Sequence, residues 1–517
     1  MLPEERARDH AAVAIISAVI IVNAFLFFLT RDQTFIHIDA IAHVNKARGL
    51  FDNIEPGLRQ LGTVWLPLPH LLMAPLAAID PLWRSGAAGS LLSIVCFIGT
   101  SMFLFMTGLE WTGSRIVGWL AFLLFGLNPH LIYLFTTPEN EPLMILCATG
   151  LVYYLVRWIQ DENWRDFALA ALFAFAGTWT RYEGWAMAAA AILLVPIVTR
   201  KRRIASSIIF AGAATVGPLL WMVFNLVYFE DPLMFFYGTG SAQEYARTTF
   251  ATAGQAWNSA ALYFVDAAYC LNPAVMWLGI GGVILSIVFI GRRYWRPSVV
   301  LVVSCFTVFS FYALTLYLNI VPITLPGMLK DDPQSVINVR YGSVMAATMP
   351  LFAALFIFTV WRQVQRRRAF SLFLLAPLLL PDPIPSASHE PMDRQFTQNL
   401  FYTEAIHNQS FWMPPFVDVA NKLKANLDDG LILTNTRIVH VVVWATGIPM
   451  RRFVTEMNQA PWEQGLQSIN PPIRWVITEE GDQLWNAQGK FLSEHFVEVA
   501  TAKSAATQRV HLYRRPD

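Results

Sequence analysis

The sequence predicts an all-α polytopic membrane domain of about 11 transmembrane helices, followed by a small C-terminal α/β domain outside the membrane. Three observations carry this expectation. The chain of 517 residues is 55% hydrophobic and 14% charged, whereas soluble globular chains carry about 25% charged residues. Apolar runs recur between short polar loops from residue 11 to residue 381. Beyond Pro381 the composition turns polar, and no run there is long enough to cross a hydrocarbon core of about 30 Å. The expected domains are therefore 1–381 and 382–517.

The first apolar run, Ala11 to Leu29, ends at Thr30-Arg31-Asp32 without a small-residue cleavage pattern, which predicts an uncleaved first span. Further spans are expected at 86–108, 115–135, 141–157, 166–180, 185–199, 205–228, 272–291, 297–318, 341–361 and 369–381. Val64 to Ile79 is apolar but contains Pro67, Pro69 and Pro75. Each proline removes a backbone donor and disrupts a helix interior, so this segment is expected to be juxtamembrane or re-entrant. Loop charge supports that reading. With the segment outside the bilayer, Arg115, Arg157 and Arg165, Lys201-Arg202-Arg203, Arg292-Arg293 with Arg296, and Arg366-Arg367-Arg368 share one side, which the positive-inside rule makes cytoplasmic, as is the N-terminus. The stretch around Asp39, residues 136–141 and 181–184, the loops 229–271 and 319–340, and the tail then lie on the extracytoplasmic side.

In the tail, Phe416, Val419, Leu423 and Leu427 fall on one side of a helix expected over 415–427. GLILTN, RIVHVVVW, IRWVITEE, HFVEVAT and RVHLYRR read as strands. Pro381, Pro383 and Pro385 mark the linker. A formal net charge of +1, without a basic stripe interleaved with aromatics, excludes nucleic acid as the expected partner. Cys96, Cys147, Cys270 and Cys305 all sit in apolar runs, which indicates neither a disulfide framework nor a zinc site.

Chemistry is concentrated in FIHIDAIAHVNKAR, residues 35–48. Asp39 and His43, four apart, share a helical face that Lys46 continues, while Ile41, Val44, Ala47 and Phe51 recur on another. This pattern predicts a helix lying on the membrane surface with its polar stripe towards an aqueous cavity. Asp39 fits a general base or metal-binding carboxylate, with His43 as its orienting partner; a solvated interfacial helix would show the same doublet. In Pro138-Glu139-Asn140-Glu141-Pro142, capping of a helix N-terminus accounts for Glu141. Glu139, a second acid at the edge of an apolar run, needs water or a partner. Asp39, Glu139 and Glu141 are the candidate ligands for a divalent metal, whose involvement the sequence leaves open.

Arg181-Tyr182-Glu183-Gly184 joins two spans by a short turn, which holds Arg181 and Glu183 at the bilayer rim, where they can bind substrate or pair with each other. Arg340, followed by Tyr341, begins the tenth expected span; its guanidinium suits bidentate grip of a lipid phosphate, or plain interfacial anchoring. Tyr237, Tyr245, Trp257, Tyr263, Phe264 and Tyr269, with Glu244 and Arg247, occupy the long outer loop, where aromatics either stack on sugars or form an interfacial belt.

HIDAIAHVNKARGLFDN, PGLRQLGTVWLPLPHLLM and LNPHLIYLFTTPENEPLMI, with an arginine before a late span and a C-terminal outer domain, resemble the GT-C superfamily of polyprenyl-phosphate-sugar-dependent glycosyltransferases. Protein O-mannosyltransferases and aminoarabinose transferases of lipid A are the members for comparison, and the runs are similar to a bacterial branch of that kind. The resemblance covers about residues 1–380. It implies a multi-pass protein of the bacterial inner membrane that transfers a sugar, with inversion, from a polyprenyl-phosphate donor to a hydroxyl of a glycan, lipid or protein. The family's leading catalytic acid maps onto Asp39 and its second-loop acid onto Glu141 or Glu139, with His43, Arg181, Glu183, Arg340 and Tyr341 around the substrates. Ala40 follows Asp39, so the paired Asp-Glu of the protein mannosyltransferases is absent. A flippase for a lipid-linked glycan is the rival reading, although flippases place charge near the bilayer midplane rather than at span ends.

Overall fold

The computed structural model describes residues 3–238, 241, 250, 252–288, 294–328, 335–365, 399–503 and 508–516. Among the described residues, five helices are long and apolar enough to cross a bilayer: Glu4–Leu29, Ala87–Thr112, Glu141–Asp161, Arg203–Phe229 and Trp295–Tyr317. Two bent pairs, Ala256–Leu271 with Pro273–Val288 and Val339–Ala347 with Met349–Gln363, bring the number to seven if each pair is one span. The runs expected at 166–180 and 185–199 form helices Trp164–Thr178 and Glu183–Val198. The run at 115–135 breaks into Arg115–Gly126 and Pro129–Leu134. There the Asn128 side chain accepts a hydrogen bond from the Leu131 amide at 3.0 Å, capping a new helix that opens on a proline. The eleventh expected span, the linker prolines and Arg366 to Arg368 lie outside the described residues.

Leu68–Ala77, within the proline-broken segment, has 10 residues and is too short to span. Phe35, just beyond the first helix, packs against Gly86 at the start of Ala87–Thr112, so the chain leaves and re-enters the bundle at one end. The helices' other ends carry their own ion pairs, in which Glu110 takes Arg6 and Arg157, and Asp9 takes Arg115 at 2.6 Å. Two polar layers thus bracket the apolar bundle.

The long loop expected over 229–271 is helical from Ala256 to Leu271, and this helix turns by 114° into Pro273–Val288. Its period-3.6 apolar face buries Tyr263, whose hydroxyl donates to the Tyr341 carbonyl at 3.3 Å. Trp257 and Tyr237 stay exposed; Glu244, Tyr245 and Arg247 fall outside the described residues. The expected span at 341–361 begins instead with a tight 3-10 segment, Val339–Ala347, that places Arg340 in its first turn.

The tail folds into a five-stranded mixed sheet of order β2-β1-β3-β5-β4, with β1 Leu431–Leu433, β2 Phe453–Val454, β3 Ile473–Glu479, β4 Val497–Ala502 and β5 Val510–Arg514. β1 runs parallel to β2 and β3, and β5 pairs antiparallel with β3 and β4. The expected helix appears as Pro414–Asn426. RIVHVVVW is not a strand but part of helix Thr436–Thr446. Parallel neighbours such as β1 and β2 require a crossover. Asn435 caps it by accepting from the Ile438 amide at 2.9 Å, and Gly447 ends it at φ 69°. The crossover overrides the strand preference of its valines.

This sheet stands on the juxtamembrane helices rather than apart from them. One apolar core unites Ile41, Val44, Met73 and Ala77 with Phe416, Val439, Val442 and Trp475. Arg48, buried at 8% exposure, ties the layers: Nε donates to Asp52 at 2.9 Å, Nη1 to the carbonyls of Ala77 and Ala78, and the guanidinium stacks on Trp83. Asp52 also takes Arg451 of the tail at 3.1 Å. Arg48→Ala removes one partner of a buried pair and leaves two carbonyls unpaired. The expected loss is about 3–5 kcal/mol, measured as a lower thermal-melting midpoint of the purified full chain.

Candidate active site

Segments far apart in sequence deliver charge to one end of the bundle. The helix Ile38–Gly49 brings Asp39, with His37 just before it; the turn before Glu141–Asp161 brings Glu139, and the helix's first residue is Glu141. The turn between Trp164–Thr178 and Glu183–Val198 brings Arg181 and Glu183, and the 3-10 segment brings Arg340 and Tyr341. Arg340, 3% exposed, is the hub. Its Nη2 donates to Asp39, its Nε to Glu141 at 2.9 Å with Glu139 at 3.5 Å, and its Nη1 lies 3.5 Å from Glu404. Arg181 shares Glu141 at 2.9 Å, pairs with Glu183 as the plain reading of that turn required, and lies 3.3 Å from the Tyr312 hydroxyl. Tyr341 lies beside both guanidiniums, 4.8 Å from Arg181 and 5.3 Å from Arg340, and stacks on Tyr312.

The polar stripe of the Asp39 helix does not face open water as expected. His43 is 2% exposed and turns to Glu139 at 3.7 Å, Asn140 at 3.4 Å and His70 at 3.0 Å; it makes no hydrogen bond or ion pair with Asp39. Packing of Leu68–Ala77 and the tail over this helix closes that face. Lys46 donates to the Leu61 carbonyl and lies 5.4 Å from the Trp65 ring. The imidazole nearest Asp39 is His37, two residues earlier, whose Nδ1 lies 2.8 Å from Glu139 and Nε2 3.4 Å from Glu404. Asp39 keeps 29% of its side chain exposed, against 4% or less for Glu139, Glu141 and Glu404.

Burial disfavours the charged form of Asp39, but the charges of Arg340 and His37 outweigh it and hold the carboxyl below its ordinary value. Burial likewise opposes charge on His37, yet the Glu139 carboxylate and hydrogen bonds to Glu139 and Glu404 overcome it and Arg340, lifting the imidazole to about 10. Burial raises Glu139 as well. The His37–Glu139 pair therefore keeps its proton through neutral pH. His43 and His70 are driven the other way by burial, His70 to about 3, and both are neutral.

The three candidate metal ligands wrap around Arg340. Among the described residues, no group of three His, Cys, Asp or Glu side chains is arranged to hold a metal ion. The four cysteines are buried and form no disulfide. His37 and Glu404 are the members that sequence reading missed. His37 stands inside the stretch already singled out but off the Asp39–His43 face, whereas Glu404 lies in a short amphipathic helix, Leu400–His407, that no hydropathy signal marks.

A profile of the dolichyl-phosphate-mannose-protein mannosyltransferase family matches residues 71–228, a stretch that includes Glu139, Glu141, Arg181 and Glu183 and omits Asp39 and Arg340. No curated protein matches the chain in sequence. In three dimensions the chain is similar to ArnT from Cupriavidus metallidurans bound to undecaprenyl phosphate, at 12% identity over 96% of this chain and 97% of that one, with a TM-score of 0.55. ArnT in the apo state superposes with a TM-score of 0.53 at the same identity and coverage. The chain shares the fold of ArnT. The likeness spans both chains almost end to end.

Because His37 is raised, its pairing with Glu139 stabilises the fold fully below the ordinary imidazole value, and that contribution is lost as pH rises through about 10. The thermal-melting midpoint is expected to fall over that alkaline range in the wild type, and His37→Gln is expected to lose that component of the pH dependence.

Proposed function

We propose that the protein is a membrane glycosyltransferase that moves one sugar from a polyprenyl phosphate to an acceptor hydroxyl, with inversion, on the extracytoplasmic side. The observation that carries this reading is the convergence of Asp39, Glu139 and Glu141 on Arg340 and Arg181 at one end of a GT-C bundle. The placement of charge at helix ends favours an enzyme over a flippase, which needs it near the midplane. Undecaprenyl phosphate bound to ArnT supports a lipid-phosphate donor. The basic loops 115, 157–165 and 201–203 support an opposite, cytoplasmic face, and the bacterial inner membrane follows from the same reading.

Arg340 is already matched by carboxylates, so a donor phosphate enters by displacing one of them. Asp39 is the least buried and the one best able to leave. In this reading the phosphate takes the Nη2 edge of Arg340 and releases Asp39 towards the acceptor. The acceptor oxygen then attacks the anomeric carbon, its proton passes to Asp39, and the bond to the phosphate oxygen breaks with both electrons leaving on phosphate. That leaving group is already ionised, so no second acid is required, unlike in a glycosidase. Arg340 and Arg181 stabilise the charge growing on it. Glu141 holds the two guanidiniums in register, and Tyr341 and Glu183 flank them. A divalent cation, should the reaction use one, would draw on Asp39, Glu139 and Glu141.

The test supplies the purified protein with a panel of undecaprenyl-phosphate sugars and acceptors. Asp39→Asn is expected to lower turnover by about 10²–10⁴-fold; full turnover by this variant removes Asp39 from the mechanism. Arg340→Lys keeps the charge but loses the fork that spans several oxygens, so both donor KM and kcat are expected to worsen. Unchanged values would sink the phosphate role.

A further inference from the structure

The residues beyond 398 are not confined to the C-terminal sheet. Helix Leu400–His407 is inserted against the membrane helices: Asn399 donates to the Pro129 carbonyl at 3.1 Å, and Phe401, fully buried, packs 5.2 Å from the His37 ring and 5.5 Å from Tyr133. One turn on, Glu404 is 3% exposed. Its Oε1 accepts from the Asn338 amide at 2.7 Å and its Oε2 from the Val339 amide at 3.2 Å. Asn338 stands at φ 59°, in the left-handed region, with its side chain donating to the Pro322 carbonyl at 2.8 Å. Two successive amides thus converge on one carboxylate, an anion nest at the start of the 3-10 segment.

We propose that Glu404 is a positioning residue of the transferase site: it locks the backbone that carries Arg340 and, by touching both Arg340 Nη1 and His37 Nε2, sets how Arg340 and Glu139 face Asp39. This rests on the reaction proposed above. Arg340 is one residue beyond the second capped amide, so a slip of this turn moves the guanidinium directly. A misplacement of about 1 Å at a reacting group can cost about 10²-fold in rate. The C-terminal part of the chain thereby supplies a component of the site that the membrane helices lack.

The experiment compares full-length wild type with Glu404→Gln, Glu404→Ala and Glu404→Asp, using the undecaprenyl-phosphate sugar that wild type turns over. Glu404→Ala and Glu404→Gln are expected to lower kcat by about 10²-fold with donor KM changed far less, and Glu404→Asp to recover part of the loss. Hydrogen exchange of the peptide covering 335–348 is read in parallel and is expected to quicken about tenfold on loss of the cap, while 141–161 stays unchanged. Either wild-type kcat or unchanged exchange in Glu404→Gln overturns the proposal. If wild type turns over no donor, the transferase reading fails, and the exchange result alone then decides whether Glu404 locks the Arg340 turn.

Discussion

A guanidinium withdrawn from water costs several kcal/mol unless each of its edges is paired, and the fold around Arg340 is arranged to meet that demand. Asp39, Glu141 and Glu139 take two edges and Glu404 lies against the third. These carboxylates come from three separate segments, and even the nearest, Glu404, stands 64 residues from Arg340 in the chain. The first juxtamembrane helix, the turn before Glu141–Asp161 and the helix Leu400–His407 must all be in place before the charge is covered. Acids outnumber arginines here: Asp39, Glu139, Glu141, Glu183 and Glu404 face Arg181 and Arg340. The imbalance is reduced, though not cancelled, by the proton that His37 and Glu139 keep between them.

Backbone contact fixes where these side chains start. A Cβ on Gly342 would lie 2.7 Å from the Ala267 backbone, so only glycine lets the Arg340 segment lie directly on helix Ala256–Leu271. A Cβ on Gly89 would meet the Pro138 Cβ at 2.3 Å, and this closeness sets the turn that presents Glu139. The C-terminal sheet acts on the same geometry from the other side. Its core continues through Ile41, Val44, Met73 and Ala77, so the helix bearing Asp39 is clamped between bundle and sheet. Rigid support on both sides is what a charge-bearing site needs if its groups are to hold catalytic distances.

Much of the site was legible in the sequence because charge is costly beside apolar runs. Glu139, Glu141, Arg181, Glu183 and Arg340 each stand at the edge of one, and such residues need a partner or water, while Asp39 stood out on the polar face of an amphipathic stretch. Their common side followed from counting spans and from the prolines that shorten Leu68–Ala77. His43 shows the limit of the same reasoning. Helical spacing places it on the face of Asp39, yet its ring turns to Glu139, Asn140 and His70, because what a side chain meets is decided by the elements packed over it. RIVHVVVW shows a second limit: valines favour a strand locally, and the parallel pairing of β1 with β2 demands a crossover there.

The sequence by itself determined the multi-pass α architecture, the small C-terminal sheet and the acids and arginines that converge, since hydropathy, proline position and charge at run edges act locally along the chain. Only the tertiary structure decided that His37 rather than His43 is the imidazole beside Asp39, that Arg340 is the hub the acids surround, and that Glu404 reaches in from beyond residue 398 to hold the turn bearing it. Apart from His37 and Asp39, those pairings join residues tens to hundreds of positions apart, and the burial that makes them necessary exists only once the helices have packed.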